Sequence, residues 1–211
     1  MGRLTIFDLD GTIAVCPEFY RTVYSGTLER VIRKHRGRDG MHMLRHCRQA
    51  YSGRGELALF ALGIPFSAWA RALIDAPMDL LRPRPDLAHA IRTMDDRKVV
   101  YTGSPVKMAC QTLERIGLST RDFDAVIGWE EPEQFPAKWA CSPLIFRGIL
   151  ERFRCEPHDA WAVGDTWVTD LLPAKMLGIK TAMIHRTEGN PDVRFPTLKE
   201  FLAFMKETQH A

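Results

Sequence analysis

Asp8 and Asp10 stand two residues apart at the end of an apolar run, in the segment Leu4-Thr5-Ile6-Phe7-Asp8-Leu9-Asp10-Gly11-Thr12. On a β-strand, side chains two apart point the same way, so the two carboxylates would converge where the strand ends and Gly11 frees the backbone. Such a pair suits a metal-assisted phosphate reaction. One carboxylate attacks phosphorus, its neighbour moves protons, and a divalent cation offsets the crowded negative charge. The same residues also fit a strand running into an Asx-type turn, and on this segment alone the two readings stand level.

Around these residues, strand-like and helix-like segments alternate along the chain. After the opening strand, residues 17–75 carry apolar side chains at three-to-four spacing, as in FYRTVYSGTLERVIRKH and ELALFALGIPFSAWARALI, and read as helical. LLRPRPD, at 80–86, breaks that pattern with two prolines. Beyond it come helix DLAHAIRTM, strand KVVYTG, helix VKMACQTLERIG stopped by Gly117, strand AVIGW and helix PLIFRGILERF. Strand AWAVGD, helix DLLPAKMLG, strand KTAMIH and helix TLKEFLAFMKE follow. This order predicts an α/β fold with a doubly wound parallel sheet, which binds ligands at the carboxyl ends of its strands. Polar residues mark three of those ends. Besides Asp8 and Asp10 there are Thr102-Gly103-Ser104, and Gly164-Asp165 with Asp170 five residues on. All three should face one crevice.

With 45% hydrophobic and 26% charged residues, the 211-residue chain has the composition of a globular protein able to bury a core, not of a disordered one. It shows neither a signal-peptide pattern nor an apolar stretch long enough for a bilayer, so a cytoplasmic location without membrane association is expected. Five scattered cysteines without a C-x-x-C pair signal neither a disulfide framework nor a zinc site. The net charge of +3 does not imply nucleic acid, but it is uneven. Between Arg30 and Arg54, eight cations face a single Asp39, a local net of +7 that leaves −4 for the rest. This stretch reads either as a face that steers an anionic substrate or as a solvated helix surface.

Taken together, DLDGT at 8–12, VVYTGS at 99–104 and VGDTWVTDLLPAKMLGIKT at 163–181 resemble the motifs of the haloacid dehalogenase-like (HAD) hydrolase superfamily, in order and along the whole chain. The resemblance implies a Rossmann-like core of residues 1–14 and 84–211 with an inserted helical C1 cap over residues 15–83. It implies that Asp8 is a nucleophile forming an aspartyl-phosphate, and that Asp10 is the acid and base whose backbone carbonyl also contacts metal. Thr102 would hold a phosphate oxygen, aided by the backbone N–H groups of Gly103 and Ser104 at a helix start. Asp165 would be a direct ligand of a Mg²⁺ site shared with Asp8 and Asp10, and Asp170 would support the metal shell or orient the lysine. The substrate implied is a small phosphorylated metabolite, such as a nucleotide or sugar phosphate, for a monomer or homodimer without nucleic-acid partners.

In one respect the chain departs from the pattern. Aligned on Ser142-Pro143-Leu144-Ile145-Phe146, the position of the expected motif-three lysine holds Ala140, and the nearest lysine is Lys138, two residues early. A long flexible stem can absorb that shift, so Lys138 is the expected counterion of Asp8. The cap loosely resembles the pyrimidine 5′-nucleotidase branch, which usually carries Asn where this chain has Gly11. Tyr20, Tyr24, Tyr51 and Trp69 in that block read as base-stacking or core aromatics, and His42 and His46 as surface imidazoles. Retention of Asp10, Asp165 and Asp170 favours a Mg²⁺-dependent phosphomonoesterase. A phosphomutase or dehalogenase of the same superfamily, or a non-catalytic binding module, are the alternatives.

Overall fold

The computed structural model describes residues 2–50, 54–130 and 137–208. The chain divides into two compact units, one comprising Met1–Val15, Leu81–Trp129 and Pro136–Ala211, the other built around Cys16–Leu80.

In the first unit the apolar runs form strands β1 (Leu4–Phe7), β2 (Arg97–Pro105), β3 (Ala125–Trp129), β4 (Ala160–Gly164), β5 (Lys180–Ile184) and β6 (Val193–Phe195). All pair in parallel, in the order β3-β2-β1-β4-β5-β6. Parallel strands need helical crossovers, and the crossovers bury both sheet faces, which is why β1 and β4 at the centre are buried at every position. On one face Leu4 and Ile6 join Val99, Tyr101 and Ala162 in a buried cluster with Phe146, Ile149 and Leu150. On the other, Phe7 packs edge-on against Phe201, whose ring also meets Trp161 and Phe195. The chain starts in β1, fills one side of the sheet with β2 and β3, then crosses to β4. The switch point therefore lies beside β1, where such sheets place their crevice.

The covering helices bury stripes at helical spacing. In α6 (Val106–Arg115) these are Met108, Ala109, Thr112 and Leu113; in α7 (Leu144–Phe153), Phe146, Ile149 and Leu150; in α9 (Leu198–Glu207), Leu198, Phe201, Leu202 and Met205. Beyond α6, Gly117 takes φ 88°, the left-handed conformation that ends a helix, and the next N–H, of Leu118, donates to Leu113 O at 2.9 Å. Among the described residues of this unit, the other α-helices are α5 (Pro85–Arg92) and the short α8 (Leu172–Lys175).

The described elements of the second unit are all helices: α1 (Pro17–Phe19), a π-helical segment at Tyr20–Ser25, α2 (Gly26–Ala50), α3 (Leu57–Ala61) and α4 (Phe66–Ile74). Its core takes Val23, Leu28, Ile32, Leu44, Leu59, Trp69 and Leu73. α2 breaks at Gly37, where φ 53° and ψ −135° leave the helical region. Arg33, Lys34, Arg36 and Arg38 are exposed, as are His42 and His46. Trp69 is buried edge-on against Phe66, whereas Tyr20 and Tyr24 stack at 5.2 Å between ring centres with Tyr20 55% exposed. Tyr51 lies outside the described residues. Among those residues, no helix is long and apolar enough to cross a membrane.

Two expectations change. β2 continues through Pro105, so Gly103 and Ser104 are strand residues and not the start of a helix. β6 was not expected: with three residues and one exposed side chain, it carries too short an apolar pattern to stand out in sequence.

Candidate active site

β1 ends at Phe7, which pairs with Val100 of β2 and Val163 of β4. Asp8 sits one step on, its N–H donating to Val163 O at 2.8 Å, and it keeps the side-chain parity of Leu4 and Ile6. The strand period does not reach Asp10. The chain turns at Leu9, whose carbonyl accepts the Ala14 N–H at 2.8 Å, and Gly11 takes φ 95°. A tight turn, and not strand alternation, therefore aims Asp10. Gly11 is required twice over: besides its positive φ, a Cβ there would lie 2.5 Å from Asp165 Oδ2.

The two carboxylates have different partners. Asp10 Oδ2 accepts the Ser104 hydroxyl at 2.6 Å and the Thr102 hydroxyl at 3.2 Å, and Thr102 Oγ1 in turn accepts the Ser104 N–H at 3.1 Å. Asp8 Oδ1 accepts from the ammonium of Lys138. That lysine lies in a 3₁₀ turn, Ala137–Ala140, and is only 5% exposed. Its Nζ also reaches Asp170 Oδ1 and Tyr101 O, both at 2.9 Å. Lys138 is thus where the displaced motif places an ammonium between two acids.

Asp165 follows β4 directly, and Asp170 lies in a single π-helical turn, Trp167–Leu171. Asp170 Oδ2 accepts the Thr166 N–H at 2.9 Å, which folds its carboxylate back toward the strand end. Gly164 permits this approach, because a Cβ there would lie 2.4 Å from that of Asp170. Ligand atoms of Asp8, Asp165 and Asp170 lie within 4.8 Å of one another, and all three residues are buried. Asp8 Oδ2 is buried with no hydrogen-bond partner among the described residues. Three converging carboxylates and an orphaned oxygen fit a hard divalent cation with oxygen ligands.

The electrostatics follow from burial. Asp8 is pushed well above the usual carboxylate range, first by desolvation and then by Asp170, Asp165 and Asp10, with Lys138 opposing. Asp165 is raised by desolvation and Asp170, against Arg186, Thr166 and Lys138. For Lys138, burial alone would lower the pKa, but Asp170 and Asp8 outweigh it and hold the ammonium charged. Tyr101 is pushed up to about 12 by burial and stays neutral.

Three neighbours escaped the sequence reading. Arg186 Nη2 meets Asp165 Oδ2 at 2.9 Å; it lies just past β5, a strand end that carries no acid to draw attention. Trp139 presses its indole on Gly103, where a Cβ would lie 2.5 Å from Nε1, while Trp129 Nε1 donates to Gly103 O at 2.8 Å. Tryptophans beside a motif have no sequence signature separating them from core residues.

Among solved structures the chain is similar to a predicted phosphatase from Clostridium acetobutylicum, with TM-score 0.68 and 14% identity over 98% of this chain and 99% of that one. It is also similar to a HAD phosphatase from Thermococcus onnurineus, with TM-score 0.64 and 20% identity over 96% and 97%. The L-2-haloacid dehalogenase of Xanthobacter autotrophicus gives TM-score 0.57 and 17% identity over 98% and 99%. No curated protein matches. At these identities the likenesses establish the fold, and both phosphatases and a dehalogenase share it. The family model for haloacid dehalogenase-like hydrolases matches residues 3–178, and the chain belongs to that family.

Proposed function

We propose that this protein is a Mg²⁺-dependent phosphomonoester hydrolase acting through an aspartyl-phosphate on Asp8, with a small phosphorylated metabolite such as a nucleotide or sugar phosphate as substrate. The observation that carries this reading is the divided Asp8 carboxylate, one oxygen on Lys138 and the other buried and unbonded beside Asp165 and Asp170.

In this reading Asp8 attacks phosphorus and the ester P–O bond breaks. Asp10 donates its proton to the departing alkoxide. Asp10 then takes a proton from water, the water oxygen attacks phosphorus, and the Asp8–phosphorus bond breaks to release inorganic phosphate. Lys138 holds Asp8 in line and balances its charge. Thr102 has one hydroxyl proton, which it gives to Asp10; offering it to a phosphoryl oxygen means rotating away while Ser104 keeps the carboxylate in place. We assign the Gly103 and Ser104 main chain to the phosphoryl group as well, the Ser104 N–H being shared with Thr102 Oγ1. Bound by Asp8, Asp165 and Asp170 with the Asp10 carbonyl, Mg²⁺ would neutralise phosphoryl charge. We assign the helical unit the role of cap.

The carboxylate of Asp10 favours a phosphate ester over a haloacid. An alkoxide needs a proton as it leaves, whereas a halide does not, and Asp10 is held by two hydroxyls. The test is hydrolysis of p-nitrophenyl phosphate and a panel of phosphorylated metabolites with Mg²⁺ or with EDTA. Turnover that requires Mg²⁺ and disappears in Asp8→Asn is expected. Halide release from a 2-haloacid in EDTA, without phosphatase activity, would refute the proposal.

A further inference from the structure

The buried acids are not held alike. Asp8 and Asp170 meet Lys138, which is itself buried, whereas Asp165 is met from the solvent side by Arg186, whose side chain is 51% exposed. β5 ends at Ile184 and His185 takes φ 65°, after which Arg186 reaches Asp165 Oδ2 at 2.9 Å. The remaining oxygen, Oδ1, accepts the Thr166 hydroxyl at 3.1 Å. Arg186 also has a second carboxylate within reach: Nη1 lies 3.7 Å from Glu188 Oε1, and Glu188 is about as exposed as the arginine. A guanidinium with one buried and one exposed acid to choose between can leave the buried one without being stranded.

We propose that Arg186 is an exchangeable counterion of the acidic cluster, pairing with Asp165 when no divalent cation is present and weakening cation binding by occupying and repelling at that carboxylate. This rests on the metal site assigned above and adds what sets its affinity. A cation held by Asp8, Asp165 and Asp170 stands one carboxylate away from the guanidinium, and like charges so placed repel appreciably even at an effective dielectric near that of a protein surface. The repulsion is discounted because Arg186 is half in solvent. As a residue acting through Asp165, Arg186 is a positioning residue and need not touch substrate.

The experiment is calorimetric titration of the purified full chain with Mg²⁺ alone, for wild type, Arg186→Gln and Lys199→Gln. The last removes the same charge from the exposed face of α9. Arg186→Gln is expected to bind Mg²⁺ about three- to thirtyfold more tightly. Without metal it should melt at a lower temperature than wild type, since Asp165 has lost its countercharge, and Mg²⁺ should restore more of that loss than it adds to wild type. Lys199→Gln should bind as wild type does. Equal or weaker binding by Arg186→Gln, or equal tightening by Lys199→Gln, overturns this inference and leaves the phosphatase reading standing. Absence of Mg²⁺ binding in all three proteins overturns both.

Discussion

Lys138 and Asp8 are 130 positions apart in the chain, and their contact is the most consequential pairing in the site. An ammonium this deeply buried is tolerable only because two carboxylates and a carbonyl receive its protons, and the acids are tolerable only because it is there. Removing one partner of such a set leaves uncompensated charge. Lys138→Met, which keeps the stem and deletes the charge, is expected to destabilise the metal-free protein by about 3–5 kcal/mol, read from the urea unfolding midpoint. A loss below about 1 kcal/mol would mean that the acids relax into solvent instead. The sequence shows that a lysine is near and that it is out of register. It does not show the 3₁₀ turn of Ala137–Ala140, or the left-handed Cys141 at φ 53°, that bring it to Asp8.

At the scale of elements, the site is assembled by strand ends and the turns behind them. The pleat period explains Asp8 but not Asp10, because β1 stops at Phe7 and a turn takes over. The far edge of the sheet is tied by another turn. Asp122 accepts the Ser119 N–H at 2.8 Å and two Arg92 nitrogens at 3.0 and 3.2 Å, joining α5 to the approach to β3. Burial alone would raise the pKa of Asp122, but the Arg92 and Ser119 hydrogen bonds outweigh it and hold the carboxyl below its ordinary value. A lowered acid stabilises the fold above its unfolded pKa, and that contribution is lost as pH falls through the folded one. Asp122→Asn is therefore expected to cost about 1–2 kcal/mol at pH 7, with the difference from wild type vanishing at acid pH. Paired urea melts across that range check the sign; a gap that widens on acidification contradicts it.

For the whole molecule, a cation held by the proposed site, a buried acidic cluster at the centre of the sheet, would tie global stability to its binding. Any ligand that binds only the folded chain stabilises it by mass action, by about 2.7 kcal/mol at a hundredfold excess over Kd. Mg²⁺ at saturation is accordingly expected to raise the melting temperature by about 5–10 °C, and Asp165→Asn to abolish most of that rise. A scanning-fluorimetry shift equal in both proteins would place the effect elsewhere.

The fold class and the acids around the crevice were legible in the order of residues alone. Strands and helices announce themselves through local period, and in a parallel sheet every strand points its carboxyl end the same way, so Asp8, Thr102 and Asp165 had to share an edge. Packing in three dimensions settles which side chain answers which. It gave Asp10 to Thr102 and Ser104, Asp8 and Asp170 to Lys138, and Asp165 to Arg186. Those pairings depend on turn dihedrals and on side chains brought together from distant positions, and hydrophobic periodicity carries no information about either.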